Sequence, residues 1–250
     1  MKIADQLLTQ GNVFFKNRSY IPLILLPFAF IVTKASIEKF PMWFGHNGIN
    51  FPERVAVVLC VTGFIIRMLT VGFTPANTSG RNTATQVADS LNTSGIYSTV
   101  RHPLYLGNYF MWLSIAALTA DLYFVAIFSL LYFIFYERVM LAEEDFLSKK
   151  FGDSYTAWSQ KVPTIIPNFS QWNSPNLYFS WKKVLAKEKN GVLAFFVLLA
   201  AFQMWTDYVQ MGKVQLPHPW TLNALVITGL VYLILKIIKH QTDWLKEENR

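Results

Sequence analysis

The chain has one cysteine, Cys60, in 250 residues, and only four histidines. A single thiol excludes an internal disulfide and any zinc site built on cysteine pairs. Cys60 lies in an apolar run and reads as a small core residue. Charge is scarce too. Asp, Glu, Lys and Arg make up 15% of the residues, where ordinary soluble domains carry about a quarter. Lys and Arg still outnumber Asp and Glu by 22 to 15, a net charge of +7. No basic stripe gathers that excess, which argues against a nucleic-acid partner. Nothing near the start has the small-residue cleavage site of a signal peptide.

What the chain has in quantity is apolar surface: 53% of the residues are hydrophobic. A spanning helix needs about 20 such residues. Six stretches qualify, at 20–37, 55–73, 104–120, 122–141, 191–210 and 219–238. The expected fold is an all-α integral membrane protein of about six transmembrane helices. Pro22 and Pro27 weaken the first. Asn50, Pro52 and Glu53 mark the start of the second, as cap, first-turn proline and first-turn acid. Thr119, Ala120 and Asp121 form the turn between the third and fourth, a tight antiparallel hairpin. Lysines 149, 150, 161, 182, 183, 187 and 189 fall between the fourth and fifth spans, and the 119–121 turn has no base. The positive-inside rule then predicts both termini and the 74–103 and 142–190 segments in the cytoplasm.

The hairpin carries two polar segments to one membrane face. One is GIYSTVRHPLYLGNY at 95–109, the other ERVMLAEEDFLSKKFGDSYTAWSQKVPTIIP at 137–167. Arg101 and His102 should therefore meet Glu143, Glu144 and Asp145. Taken singly, each group has a plain reading. Arg101 serves as a positive-inside anchor, Arg67 and Arg138 as snorkelling cations, Tyr97, Tyr105 and Tyr109 as interface aromatics, and Gly107 as a helix-packing position. Taken together they form a polar site at a span entrance. Arg67 then has a second reading, beside an anionic head group. The stretch at 77–95, with Asn-Thr-Ser-Gly at both ends, is either a lid or a plain connector.

These two segments resemble the signatures of the isoprenylcysteine carboxyl methyltransferase and phospholipid methyltransferase superfamily. Its pattern is matched by Tyr97, Arg101, His102, Pro103, Tyr105 and Gly107. After the hairpin it is matched by Glu143, Glu144, Leu147, Phe151, Gly152, Tyr155, Val162, Pro163 and Pro167. Ile96 and Ser98 depart from it, where relatives commonly have Pro and Arg. The resemblance implies S-adenosylmethionine as cofactor, a lipid or lipidated acceptor, and a cytoplasmic cofactor pocket. Cofactor contacts would come from Tyr97, Arg101, His102, Pro103, Tyr105, Gly107, Tyr155 and Pro163. Catalytic roles would fall to Arg138, Glu143 and Glu144, with no metal. It also implies three regions: an N-terminal amphipathic segment with the first span (1–54), a methyltransferase-like core (55–167) and a C-terminal extension with two spans (168–250). O-methylation is favoured over N-methylation. Two other readings stay open: an NADPH-dependent membrane sterol or alkene reductase, whose Arg-His-Pro region is similar, and a non-catalytic scaffold.

Overall fold

The structure is a computed structural model and describes residues 2–45, 49–75, 78 and 86–245. Its regular elements are helical: α1 (Ile3–Asn17), α2 (Leu26–Lys39), α3 (Phe51–Gly72), α4 (Pro103–Ala117), α5 (Leu122–Phe151), α6 (Asp153–Ser159), α7 (Trp181–Met211) and α8 (Pro219–Gln241). Five helical segments are long and apolar enough to cross a membrane: 21–39, α3, α5, α7 and α8. They leave Leu122, Ile127, Leu130 and Ile134 of α5, and Val226, Ile227, Leu230 and Ile234 of α8, exposed on the outside of the bundle. In water such stripes would be a liability, and in lipid they are the solvent-facing surface. The protein is an integral membrane protein.

Local chemistry explains where each helix begins. Asn50 caps α3 by accepting from the Glu53 amide at 3.0 Å. Asp121 caps α5 by accepting from the Phe124 amide at 2.6 Å. Pro22 and Pro27 break the first apolar run into a 3-10 turn (Ile21–Leu25) followed by α2.

Three expected boundaries shift. The third expected span, α4, is 15 residues long, about 22 Å at 1.5 Å per residue and short of the roughly 30 Å hydrocarbon core. α5 runs unbroken past 141 to Phe151, 30 residues in all. The run after Leu141 contains no glycine or proline, and Lys149 pairs with Asp145 one turn earlier at 2.7 Å. The break comes at Gly152, whose φ of +53° suits glycine alone. α7 begins at Trp181, ten residues before the expected start. Ser180 accepts from the Lys183 amide at 3.1 Å, and the polar run that follows is as helix-competent as the apolar run it joins.

The helices alternate in direction. Residues 95–102, the C-terminal part of α5, α6, the start of α7 and the end of α8 all gather at one end of the bundle. Lys182 lies 5.2 Å from the Trp244 ring there. The 118–121 turn, the α3 start and the α7–α8 connection lie at the other. α3 and α4 cross closely. A Cβ on Gly63 would come within 2.6 Å of the Gly107 carbonyl oxygen, so the crossing depends on the missing side chains. α1 packs on α5 in the same way, with Gly11 against the Arg138 carbonyl.

Candidate active site

Pro103 starts α4 in the position where its missing N–H costs nothing. His102, at the cap position, makes no side-chain cap bond. Its ring instead reaches α5, with Nε2 2.9 Å from Glu144 Oε1 and Nδ1 3.5 Å from Glu143 Oε2. Arg101 joins Glu144 at 3.0 Å. Burial works against a positive charge on His102, but the hydrogen bonds and charges of Glu143 and Glu144 outweigh it and hold the imidazole pKa above its ordinary value.

The second segment is stitched to the first through the backbone. The Arg101 amide donates to the Pro163 carbonyl at 2.9 Å and the Asn168 amide to the Thr99 carbonyl at 2.9 Å. The Trp158 indole donates to the Tyr97 carbonyl at 3.2 Å. The Arg101 guanidinium also donates to the Thr164 hydroxyl. Beneath His102, the rings of Tyr105, Tyr136 and Tyr132 follow one another at 5.0 and 4.2 Å, and Tyr132 donates to the Tyr105 carbonyl at 2.9 Å. Burial pushes the Tyr97 phenol up, aided by the nearby Glu143 charge, and raises that of Tyr155 to about 12. Both stay neutral donors at any physiological pH.

These groups wall a cavity of about 480 Å³. Its mouth is polar, with Tyr97, Arg101, His102, Glu143, Tyr155 and Trp158. Its far end is apolar, with Met111, Trp112 and Ile115 of α4 facing Ala194, Phe195 and Leu198 of α7. The span from His102 to Ile115 is about 20 Å along the helix axis. α1 contributes Phe15, and Arg18 and Ser19 follow it; residues 86–88 and 90–92 close another side. Of the 77–95 stretch, residues 77 and 79–85 lie outside the described residues, so the choice between lid and connector falls partly outside them.

The eight expected cofactor residues divide by position. Tyr97, Arg101, His102, Pro103, Tyr105 and Tyr155 line the cavity. Pro163 holds Arg101 through its carbonyl. The space beside Gly107 is filled by the stem of Arg67 and the α3 backbone. Of the expected catalytic residues, Glu143 lines the cavity, and Glu144 ties Arg101 to His102. Arg138 turns to α1, donating to Gln10 at 3.0 Å and to the Ile134 carbonyl at 2.6 Å.

α7 supplies what the sequence reading did not anticipate. Glu188, 2% exposed, grips Arg67 with both oxygens at 2.7 Å, and Arg67 also donates to Asn108. Lys187, Asn190 and Gly191 stand beside it on the cavity wall. The 168–250 region is thus part of the wall of the site. The signal that reveals this is Ser180, a cap ahead of a polar helical run. Hydropathy alone starts the helix at Gly191.

Residues 52–154 match the phospholipid methyltransferase family. The chain is 41% identical to a protein-S-isoprenylcysteine O-methyltransferase of Schizosaccharomyces pombe over 78 residues, 31% of this chain and 33% of that protein. It is 29% identical to the nickel-cobalt-cadmium resistance protein NccN of Alcaligenes xylosoxydans xylosoxydans over 136 residues, 54% of this chain and 61% of the relative. A protein-S-isoprenylcysteine O-methyltransferase of Tribolium castaneum is 23% identical over 124 residues, 49% of this chain and 44% of its own. The chain thus spans from a third to about three-fifths of the length of these curated relatives. No solved structure matches. Over residues 52–154, the stretch that holds the Arg-His-Pro segment and the Glu-Glu pair, this chain is similar to the phospholipid methyltransferase family.

Proposed function

We propose that this protein is a membrane methyltransferase that uses S-adenosylmethionine to methylate an oxyanion on a lipid-like acceptor, and that its cavity mouth faces the cytoplasm. The observation that carries the reading is the single continuous cavity, polar where the two motif segments meet and apolar where α4 faces α7. A soluble cofactor fits the first part and an acyl or isoprenyl tail the second.

The residues at the mouth suit a polar, amino-acid-bearing cofactor. Arg101 Nε and Gln86 Nε2 are buried on the cavity wall with no hydrogen-bond partner among the described residues, a costly arrangement unless a ligand completes it. When bound, S-adenosylmethionine supplies an electrophilic methyl group on a sulfonium. The protein's share is alignment, since an oxyanion acceptor needs no base. Tyr97 and Tyr155 donate without ionising. His102, held between Glu143 and Glu144, fixes the start of α4 against α5. Glu143 places a negative charge at the mouth, suited to an ammonium or sulfonium. The apolar walls exclude water, so the methyl group is not lost to hydrolysis. The lysines at 149, 150, 161, 182, 183, 187 and 189 all belong to the mouth end, which supports its cytoplasmic placement.

The test is ligand-dependent stability of the purified protein in detergent. S-adenosylhomocysteine at 100 times its dissociation constant is expected to add about 2.7 kcal/mol. Stabilisation by NADPH alone would install the reductase reading in its place, and stabilisation by neither would favour the scaffold.

A further inference from the structure

Arg67 stands at the boundary between the polar and apolar parts of the cavity. It rises from α3 beside Gly107 and Asn108, about 8 Å further along α4 than His102. One turn beyond, the wall becomes Met111, Ile115, Phe195 and Leu198. Its side chain is 13% exposed and that of Glu188 is 3% exposed. Glu188 engages Nε and one terminal nitrogen, and Asn108 accepts from the other. A guanidinium has five N–H donors, and these three bonds leave two that have no partner among the described residues.

Two features of this arrangement point one way. The pair is two-pronged, so the orientation of the guanidinium is set rather than averaged. The lacking Cβ at Gly107 admits the Arg67 stem, since a Cβ there would lie 2.5 Å from Arg67 Cγ.

We propose that Arg67 binds the oxyanion head of an amphipathic acceptor and that Glu188, a positioning residue from α7, sets it for that purpose, so that the helices after residue 167 complete the acceptor site. The proposal deepens the methyltransferase reading and rests on it for the word acceptor. The head, carboxylate or phosphate, sits at Arg67. The tail runs on between α4 and α7, and the oxyanion faces back toward the mouth.

Equilibrium binding to the full chain in detergent tests this, with N-acetyl-S-farnesylcysteine, its methyl ester and farnesyl monophosphate as probes. The unaltered protein is expected to bind an anionic probe at least about tenfold more tightly than the neutral ester. Arg67→Gln should bring that ratio near one, while S-adenosylhomocysteine still raises the melting temperature as in the unaltered protein. Arg67→Lys, which keeps the charge and the fold but loses the fork, should retain part of the ratio. Glu188→Gln should lower the ratio and raise the acceptor KM several-fold with kcat little changed, and Glu188→Asp should recover part of both. The probe whose preference collapses in Arg67→Gln identifies the head group as carboxylate or phosphate. An unchanged ratio in Arg67→Gln overturns the proposal. So does loss of the S-adenosylhomocysteine shift with the ratio intact, which would put Arg67 on the cofactor. A protein that discriminates as expected but transfers no methyl group refutes the methyltransferase reading and leaves the binding role of Arg67 standing.

Discussion

His102 shows how one residue's surroundings become a measurable property of the whole protein. Its pKa in the fold lies above its ordinary value because Glu143 and Glu144 outweigh the cost of burial. The unfolded chain titrates near about 6.5. A raised folded pKa contributes stability that is fully present below that value and is lost as pH rises through the folded pKa. Melting temperature should therefore fall as pH rises above about 6.5, and His102→Asn should flatten that slope. A slope unchanged in the variant would show that His102 is not the group responsible. Arg138 makes the opposite point. Its motif position suggests the reacting group, yet its side chain holds α1 through Gln10. Arg138→Ala is expected to cost about 0.5–1.5 kcal/mol, the worth of ordinary hydrogen bonds, and to leave S-adenosylhomocysteine affinity within about twofold by isothermal titration. A variant that folds normally but loses turnover tenfold would return Arg138 to the reaction. Sequence position alone does not separate the two roles, because a helix end near a motif is compatible with either face.

Among the elements, those bounded by chemically distinct residues were legible in the sequence. Asn50 with Pro52 announced α3, and Asp121 announced α5. The hairpin that turns at Thr119, Ala120 and Asp121 brings 101–102 and 143–144 together as expected. The boundaries that moved were those read from hydropathy, which follows lipid exposure and not helicity. α5 continues through 142–151 and α7 starts at Trp181 because nothing in those polar runs breaks a helix. The early start of α7 is why Glu188 escaped notice. The α3–α4 crossing was likewise hidden, since a glycine in an apolar run looks the same whether it packs or not. Two substitutions separate those cases. Gly63→Leu must push a side chain into the Gly107 carbonyl, 2.6 Å from where its Cβ would lie. It should cost at least about 1–3 kcal/mol and weaken cofactor binding as α3 and α4 part. Gly229→Ala on α8, with nothing within 4 Å of the added carbon, should be neutral or stabilising by up to about 1 kcal/mol. Thermal denaturation of both variants under one set of conditions decides the matter, and equal effects would rule out the close crossing.

At the scale of the whole molecule, the distribution of charge and the path of the chain have to agree about which end is which. The bundle puts the motif segments, the 161–180 connection and the end of α8 at one end, and the α7–α8 connection at the other. The lysines of the 142–190 region support the proposal that the first end is cytoplasmic, by the positive-inside rule. Lys34, Lys39 and Arg54, near the other end, count against it, and only direct measurement weighs the two sets. Cys60 is buried, so single cysteines introduced elsewhere report without first removing it. Gln171→Cys, Thr242→Cys and Gln215→Cys all fall at exposed positions. In sealed inverted vesicles a membrane-impermeant maleimide should label the first two and spare the third, and in right-side-out vesicles the pattern should reverse. Labelling of Gln171→Cys and Gln215→Cys from the same side would break the bundle's alternation. Labelling of all three with the sides exchanged would keep the fold and move the mouth to the far side, where the cytoplasmic methyl donor could not reach it.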